Sequence, residues 1–240
     1  MKKKILLVTL VVCVLAMTIA STTMAYFTDT KSITNTFTVG DVKIELTEAA
    51  VMKDNPDLGH WIQNESADRI PANNQEISFG NMFPMQNIYK DPTIQNTGSE
   101  NAYVAAIITI DNGAGTIDEV LTVTGETGKT SVDNFLTGLV QNDDRYFVTF
   151  TEVKDENEVV TAFKVYIIKK VATVTNEKVT LFTGIQVPAT WNNTQMAYCN
   201  GLKITVEAYA TQQAGFADAK TAIQTAFANE FGSITFATNP

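Results

Sequence analysis

The sequence predicts a mainly β protein, a jelly-roll β-sandwich with one or two flanking α-helices. Seven or eight short segments alternate between apolar and polar residues, as strands with one buried face do, and turn residues separate them. Many threonines and valines, which favour strands, point the same way. One segment near the C-terminus instead repeats apolar residues every three or four positions, which is typical of an amphipathic helix.

The N-terminus has the pattern of a secretory signal peptide. Residues 2–4 are lysines, and residues 5–20 form an apolar run of sixteen, which is short for a membrane span. Small residues follow, and Ala25 suits the position before a signal-peptidase cut that would leave Tyr26 as the new N-terminus. We therefore predict a signal peptide over residues 1–25, with an uncleaved anchor as the alternative.

The charge balance excludes one class of partner. The chain has 240 residues, with 17 basic and 26 acidic side chains and a net charge of −9. Removing the signal leaves 14 basic side chains against the same 26 acidic ones, a net charge of −12. Beyond residues 2–4 no cluster of Lys and Arg occurs, so nucleic acid is not an expected partner. No second apolar anchor follows the signal, so we expect no lasting membrane anchor.

The mature chain begins with an N-terminal strand segment, residues 26–47. Gly40 and Asp41 form a turn or bulge inside it. The apolar residues share odd positions before this turn and even positions after it: Ile33, Phe37 and Val39, then Val42, Ile44 and Leu46. Residues 48–240 are predicted to form the jelly-roll domain. Within it, residues 48–76 lack a steady period and are predicted to be a long surface insertion.

Further strands are predicted along the domain. Residues 102–110 are an apolar run suited to a central buried strand. Residues 145–153 and 159–169 predict a hairpin across an acidic turn. Alternation returns over residues 179–187 and again over residues 202–208.

Two segments have helical spacing. Residues 216–231 place phenylalanines, alanines and an isoleucine on one face, and Gly215 and Gly232 bracket them. We predict that this face packs on the sandwich. Residues 131–140 have a weaker pattern of the same kind and are a second helix candidate.

The common motifs of catalysis are missing. The sequence has no HExxH, CxxC, GxSxG, P-loop or GxGxxG pattern, and His60 is its one histidine. Cys199 is the one cysteine after the signal, and a small residue at a strand start is favoured over a nucleophile or an interchain disulfide. Acidic residues at 143–144 and 155–158 suit Ca²⁺, but without EF-hand spacing solvated hairpin tips are favoured. We predict no catalytic, metal-binding or cofactor-binding residues.

The predicted mature N-terminus is aromatic, with Tyr26 followed by Phe27. Such side chains gain a few kcal/mol by burial, so a freely solvated tail is not expected. One interpretation is that the segment folds back as the first strand of its own sandwich. The other is that it adds to an open sheet of a neighbouring molecule, where alternate side chains fill apolar pockets.

Three separate blocks of the sequence carry a resemblance to one known family. The first reads AYFTD over residues 25–29 and NTFTVG over residues 35–40. The second is a strand–turn–strand segment over residues 90–111, and the third covers residues 202–216 with the helix after them. Together they resemble the TasA/camelysin family of exported biofilm matrix proteins, which a dedicated SipW-type signal peptidase processes.

The resemblance implies a jelly-roll protein that forms fibres outside the cell by donor-strand exchange. The donor would be the segment from Tyr26 to Val39, with Phe27, Ile33, Phe37 and Val39 as inward anchors. The expected partners are other copies of the chain in a head-to-tail homopolymer, the SipW-type peptidase and an accessory matrix protein. The expected location is the extracellular matrix or cell surface.

Two alternatives stay open at this point. The family includes camelysin, described as a surface metalloprotease, so a cell-surface metallo-endopeptidase is one alternative, although the sequence lacks a zinc-binding motif. The other is a monomeric surface or spore-coat-associated protein with the same sandwich.

Overall fold

The structure is a computed structural model of the whole chain. It describes residues 28–29, 41–54, 60–71, 83–111, 135–187, 189, 192–193 and 202–236. Among them, no helix combines the length and apolar character needed to cross a membrane.

Strands dominate the described residues. They are β1 (Thr28–Asp29), β2 (Ile44–Glu48), β3 (Val51–Lys53), β4 (Trp61–Gln63), β5 (Ile70–Pro71), β6 (Asn87–Tyr89), β7 (Thr93–Asn96), β8 (Ala102–Asp111), β9 (Leu136–Thr137), β10 (Tyr146–Lys154), β11 (Val160–Lys169), β12 (Lys178–Thr180), β13 (Gly184–Gln186) and β14 (Lys203–Gln212). The helices are a 3-10 turn (Val140–Asn142), α1 (Ala219–Ala226) and α2 (Ala228–Phe231).

One antiparallel sheet organises the molecule, and we call it the main sheet. Its strand order is β1-β14-β8-β11-β10. The apolar run predicted as a central strand is β8, which pairs along its length with β14 and along most of it with β11. The predicted hairpin is also confirmed, because β10 and β11 pair antiparallel from Tyr146 opposite Lys169 to Val153 opposite Ala162.

Two smaller sheets form a second layer. Their orders are β12-β7-β2-β5 and β3-β4-β6-β13-β9. The long surface insertion predicted over residues 48–76 stays a prediction, and its described part contains strands β3, β4 and β5. These strands are two or three residues long. Runs this short carry no detectable period, and pairing with neighbours holds them in place.

The main sheet has a hydrophobic core on each face, because side chains alternate along its strands. On one face, Ile108 of β8 and Val165 of β11 pack against second-layer residues such as Ile94 and Ile185. On the other face, Ile107 and neighbouring residues pack against the C-terminal helices. The protein is thus a β-sandwich with helices on one outer face, as predicted. The sheet orders do not establish jelly-roll connectivity, which stays a prediction.

The C-terminal helical segment forms where its periodicity predicts. Asp218 caps α1 by accepting a hydrogen bond from the Thr221 N–H at 2.8 Å. The apolar face packs on the main sheet through Ile223, Phe227 and Phe231. The ring of Phe231 lies edge-on to Tyr209, with 5.3 Å between the centroids.

Within the weaker helix prediction, residues 131–140, Phe135 is helical, and the prediction is wrong at Leu136 and Thr137. Leu136 and Thr137 form strand β9, which pairs with β13. Leu136 has no exposed surface, and Gly138 has a φ of +69° that ends the strand in a turn. The apolar residues at helical spacing are buried here by pairing with β13, and tertiary packing overrides the local pattern.

We expect Phe231→Ala to lower the free energy of unfolding by about 3–5 kcal/mol, because it empties a fully buried aromatic site between the helices and the main sheet. Urea unfolding followed by circular dichroism measures this. Thr225→Ala, at an exposed position of α1, is the control and should change stability by less than roughly 0.5 kcal/mol. Equal effects of the two substitutions would contradict the packing described.

Candidate functional site: the open edge of the main sheet

Among the described residues, strand β14 is paired along its whole length on one side and over two residues on the other. Along one side it pairs with β8 over its full length, from Lys203 opposite Asp111 to Gln212 opposite Ala102. On the other side, its partner among the described residues is the two-residue strand β1. Thr28 lies opposite Thr211 and Asp29 opposite Ala210, antiparallel. Residues 203–209 have no strand partner on that side within the part of the chain that the structure describes.

The core-facing side of this edge is apolar and half-buried. Ile204, Val206 and Ala208 alternate along β14 and pack against the main core, and Leu202 precedes them on the same side. The matching residues of β8, such as Ile108, are fully buried between two neighbouring strands. The core is therefore less completely covered at β14 than at β8.

The charged residues of β14 lie on its opposite face. The charged residues are Lys203 and Glu207. With Thr205 between them, they alternate with the apolar column and are exposed. Further along this face Tyr209 is buried against α2. Burial is the larger cause that raises the pKa of Tyr209 to about 12, and the negative charge of Glu207 is the next. No charge therefore interrupts the apolar column on the core side.

Strand β2 faces this edge across the core, and two ion pairs hold the end of β2 in place. Lys90 donates to the Glu48 carboxylate at 2.6 Å, and Arg69 donates to Asp91 Oδ2 at 2.6 Å. Asp91 Oδ1 also accepts the Ala49 N–H at 2.7 Å. These ion pairs were not predicted from the sequence. No local pattern signals them, since the partners lie 22 and 42 residues apart.

The chain that leads into β2 is held against the turn after β7. The Thr97 N–H donates to Lys43 O at 2.8 Å, and the Ser99 N–H donates to Asp41 O at 3.0 Å. A glycine is required at position 98, between Thr97 and Ser99, because a Cβ there would lie 2.1 Å from Asp41 O. The described structure thus fixes where the N-terminal segment joins the sandwich.

Most of the predicted site residues lie outside the described residues. These are Ala25, Tyr26, Phe27, Ile33, Phe37 and Val39, together with Cys199. Their roles in cleavage and strand donation stay predictions. The structure does describe β14, the strand with which β1 pairs. The alternation of residues 202–208 was visible in the sequence, but the sequence did not show that their strand lies near a sheet edge.

The lone histidine makes contacts within the second layer. His60 Nδ1 accepts the Asn87 N–H at 3.1 Å, and its ring lies 6.2 Å from that of Phe83. The His60 carbonyl also accepts the Asp54 N–H at 3.1 Å. These contacts link the start of β4 to β6. Among the described residues, no three His, Cys, Asp or Glu side chains are grouped to hold a metal ion.

Residues 155–158 lie at a hairpin tip, as predicted, whereas Asp143 and Asp144 lie between the 3-10 turn and β10, not at a hairpin tip. Asp155 accepts the N–H groups of Asn157 and Val159 at the tip of the β10–β11 hairpin, at 2.8 and 3.0 Å. These hydrogen bonds, the one from Val159 first, lower the pKa of Asp155. Asp143 binds the Arg145 guanidinium at 2.6 Å, and that hydrogen bond lowers the pKa of Asp143.

Comparisons with known proteins found no relative of this chain. No protein-family model matches the chain, and neither a curated protein nor a solved structure matches it.

We expect the pH dependence of stability to include a contribution from Asp155. Its pKa is lower in the folded protein than in the unfolded chain, so it stabilises the fold at neutral pH, and this contribution is lost as the pH falls through the folded value. Asp155→Asn should narrow the difference in unfolding free energy between pH 7 and pH 3. Glu156→Gln removes the same charge from the same tip and is the matched control. An equal narrowing in both variants would show a general charge effect instead.

Proposed function

We propose that this protein is a secreted structural subunit that polymerises head-to-tail into extracellular biofilm matrix fibres. The N-terminal segment of one copy would complete the main sheet of the next. In this proposal a SipW-type peptidase cuts between Ala25 and Tyr26 and frees the segment, and an accessory matrix protein assists assembly. The sandwich would have the jelly-roll form that the family resemblance implies.

The observation that carries the proposal is the open β14 edge with its apolar, half-buried column. An added strand would gain backbone hydrogen bonds along residues 203–209 and cover Ile204, Val206 and Ala208. Fully burying an aliphatic side chain stabilises by roughly 1.5–3 kcal/mol, and completing a half-buried one contributes part of that. Summed over the column, this supports a stable contact between subunits.

A donor that kept the register of β1 would set two of the four predicted anchors, Ile33 and Phe37, along the core-facing side of β14. With Thr28 opposite Thr211 and Asp29 opposite Ala210, a donor that keeps this register has its odd-numbered residues opposite even-numbered residues of β14. Paired residues share a face, so these odd-numbered residues would face the core. Ile33 would lie opposite Val206 and Phe37 opposite Leu202.

The remaining anchors and some polar residues follow the same parity. Phe27 would lie opposite Gln212, beyond the half-buried column. Lys31 and Asn35 would also face the core, opposite Ala208 and Ile204, so the apolar contacts of the donor would concentrate at Ile33 and Phe37. Val39, the last of the four anchors, is also odd-numbered and would face the same side of the donor strand.

The pairing of β1 with β14 could form within one chain or between two copies of it. In the structure β1 and β14 belong to one chain, so the segment covers one end of its own edge. Exchange between chains would keep the register and change only which copy donates. Because donor and acceptor are different surfaces, each added subunit brings a new free edge, and a contact of this kind propagates a filament.

Deleting residues 26–39 from the mature protein should give a folded monomer that forms no filaments, because the acceptor edge stays and the donor is lost. Negative-stain microscopy and light scattering at pH 7 and pH 5 measure this against the protein that begins at Tyr26. The truncated chain should also shorten filaments when mixed with the intact protein, since it accepts a donor and offers none. Undiminished filament growth by the truncated chain would overturn the proposal.

A pair of cysteines at the β1–β14 contact reports which copy donates. In a Cys199→Ser background, Thr28→Cys with Thr211→Cys should oxidise within one chain in the monomer. In filaments it should give a ladder of covalent oligomers on a non-reducing gel, because directly opposite residues lie within disulfide reach. Thr28→Cys with Thr205→Cys is the out-of-register control. Cross-linking of the control as readily as of the test pair would refute the register.

A further inference from the structure

The main sheet has a second edge, at β10. This strand is nine residues long and pairs with β11 on one side. On its other side no described residue pairs with it. A long edge of this kind is a template for unwanted strand addition unless something blocks it.

The core-facing column of β10 starts apolar and ends in a charge. Tyr146, Val148 and Phe150 contact the main core, and Glu152 takes the next position on the same face. Only 12% of the Glu152 side chain is exposed. Its Oε1 is buried and has no hydrogen-bond partner in the part of the chain that the structure describes. Its Oε2 lies 3.6 Å from Lys154 Nζ.

The pairing becomes irregular at the same place. The register between β10 and β11 shifts between Val153 and Lys154, so that Val153 lies opposite Ala162 and Lys154 opposite Val160. A bulge of this kind bends the strand and increases its local twist. An inward-pointing charge and a bulge are two devices by which edge strands avoid pairing with another chain.

We propose that the two edges of the main sheet have opposite roles: β14 accepts a strand from another copy of the chain, and Glu152 prevents β10 from doing so. A strand laid along β10 would remove the remaining water from Glu152 and Lys154 and offer them no new partner, which is costly for an ion pair. The core-facing column of β14 contains no charge. This inference rests on the proposed function and adds that each subunit takes one donor at one edge, which keeps the filament unbranched.

Glu152→Val in the mature protein should release the β10 edge, because it extends the apolar column past Phe150. We expect association of subunits to strengthen by at least roughly tenfold, as the cost of burying the charge disappears. In sedimentation and light scattering the midpoint of association should move to lower protein concentration. In negative stain the filaments should bundle or branch.

Glu45→Val is the matched control. It removes the same charge and adds the same side chain at an exposed position of β2, which lies between β7 and β5. Circular dichroism and thermal melts of both variants test that the fold is intact. Glu152→Gln removes the charge but keeps a polar group that strand addition would have to desolvate, so it should strengthen association less than Glu152→Val does.

The outcomes separate the two proposals. Thin, unbranched filaments and unchanged association for a folded Glu152→Val variant would overturn the role of Glu152 and leave the proposed function standing. An effect of equal size in Glu45→Val would also overturn it, as a general effect of surface charge. If the unmodified protein forms no filaments, the proposed function fails. Stronger association of Glu152→Val alone would then still support the block at β10.

Discussion

The burial of strand β8 is the constraint on which the rest of the structure depends. All but two of its ten residues are buried, with one face against the second layer and the other against the C-terminal helices. A strand buried on both faces and paired on both sides offers nothing to solvent or to a partner. The surfaces of the main sheet that remain for interaction are therefore its edges, β14 with β1 at one side and β10 at the other.

The two edges differ because of a few side chains. Both strands are long, antiparallel and paired on one side with an interior strand. On β14 the core-facing residues are apolar and the charges lie on the other face, whereas on β10 a carboxylate occupies the core-facing column beside a bulge. Apolar burial favours strand addition in the first case, and charge desolvation opposes it in the second. In the assembly that we propose, this difference would make strand addition directional.

The second layer forms the other wall of the core that β14 contacts. Its strands are short, and the ion pairs of Glu48 with Lys90 and of Arg69 with Asp91 join the end of β2 to chain segments far away in sequence. Buried pairs of this kind contribute little net stability, yet each partner becomes costly if the other is lost. Their effect is to fix one position of β2, opposite the column on β14.

The sequence by itself determined the elements whose side chains follow one period over many residues. The central strand, the β10–β11 hairpin and the C-terminal helix were predicted because their burial is set along the element itself. Tertiary structure decided the rest. The strands within residues 48–76 are too short to show a period, and Leu136 is in a strand because β13 pairs with it. Which strand lies at an edge, and which charge faces the core there, depends on neighbours distant in sequence. The alternation of residues 202–208 therefore predicted a strand, and only the sheet order shows that it lies between the long strand β8 and the two-residue edge strand β1.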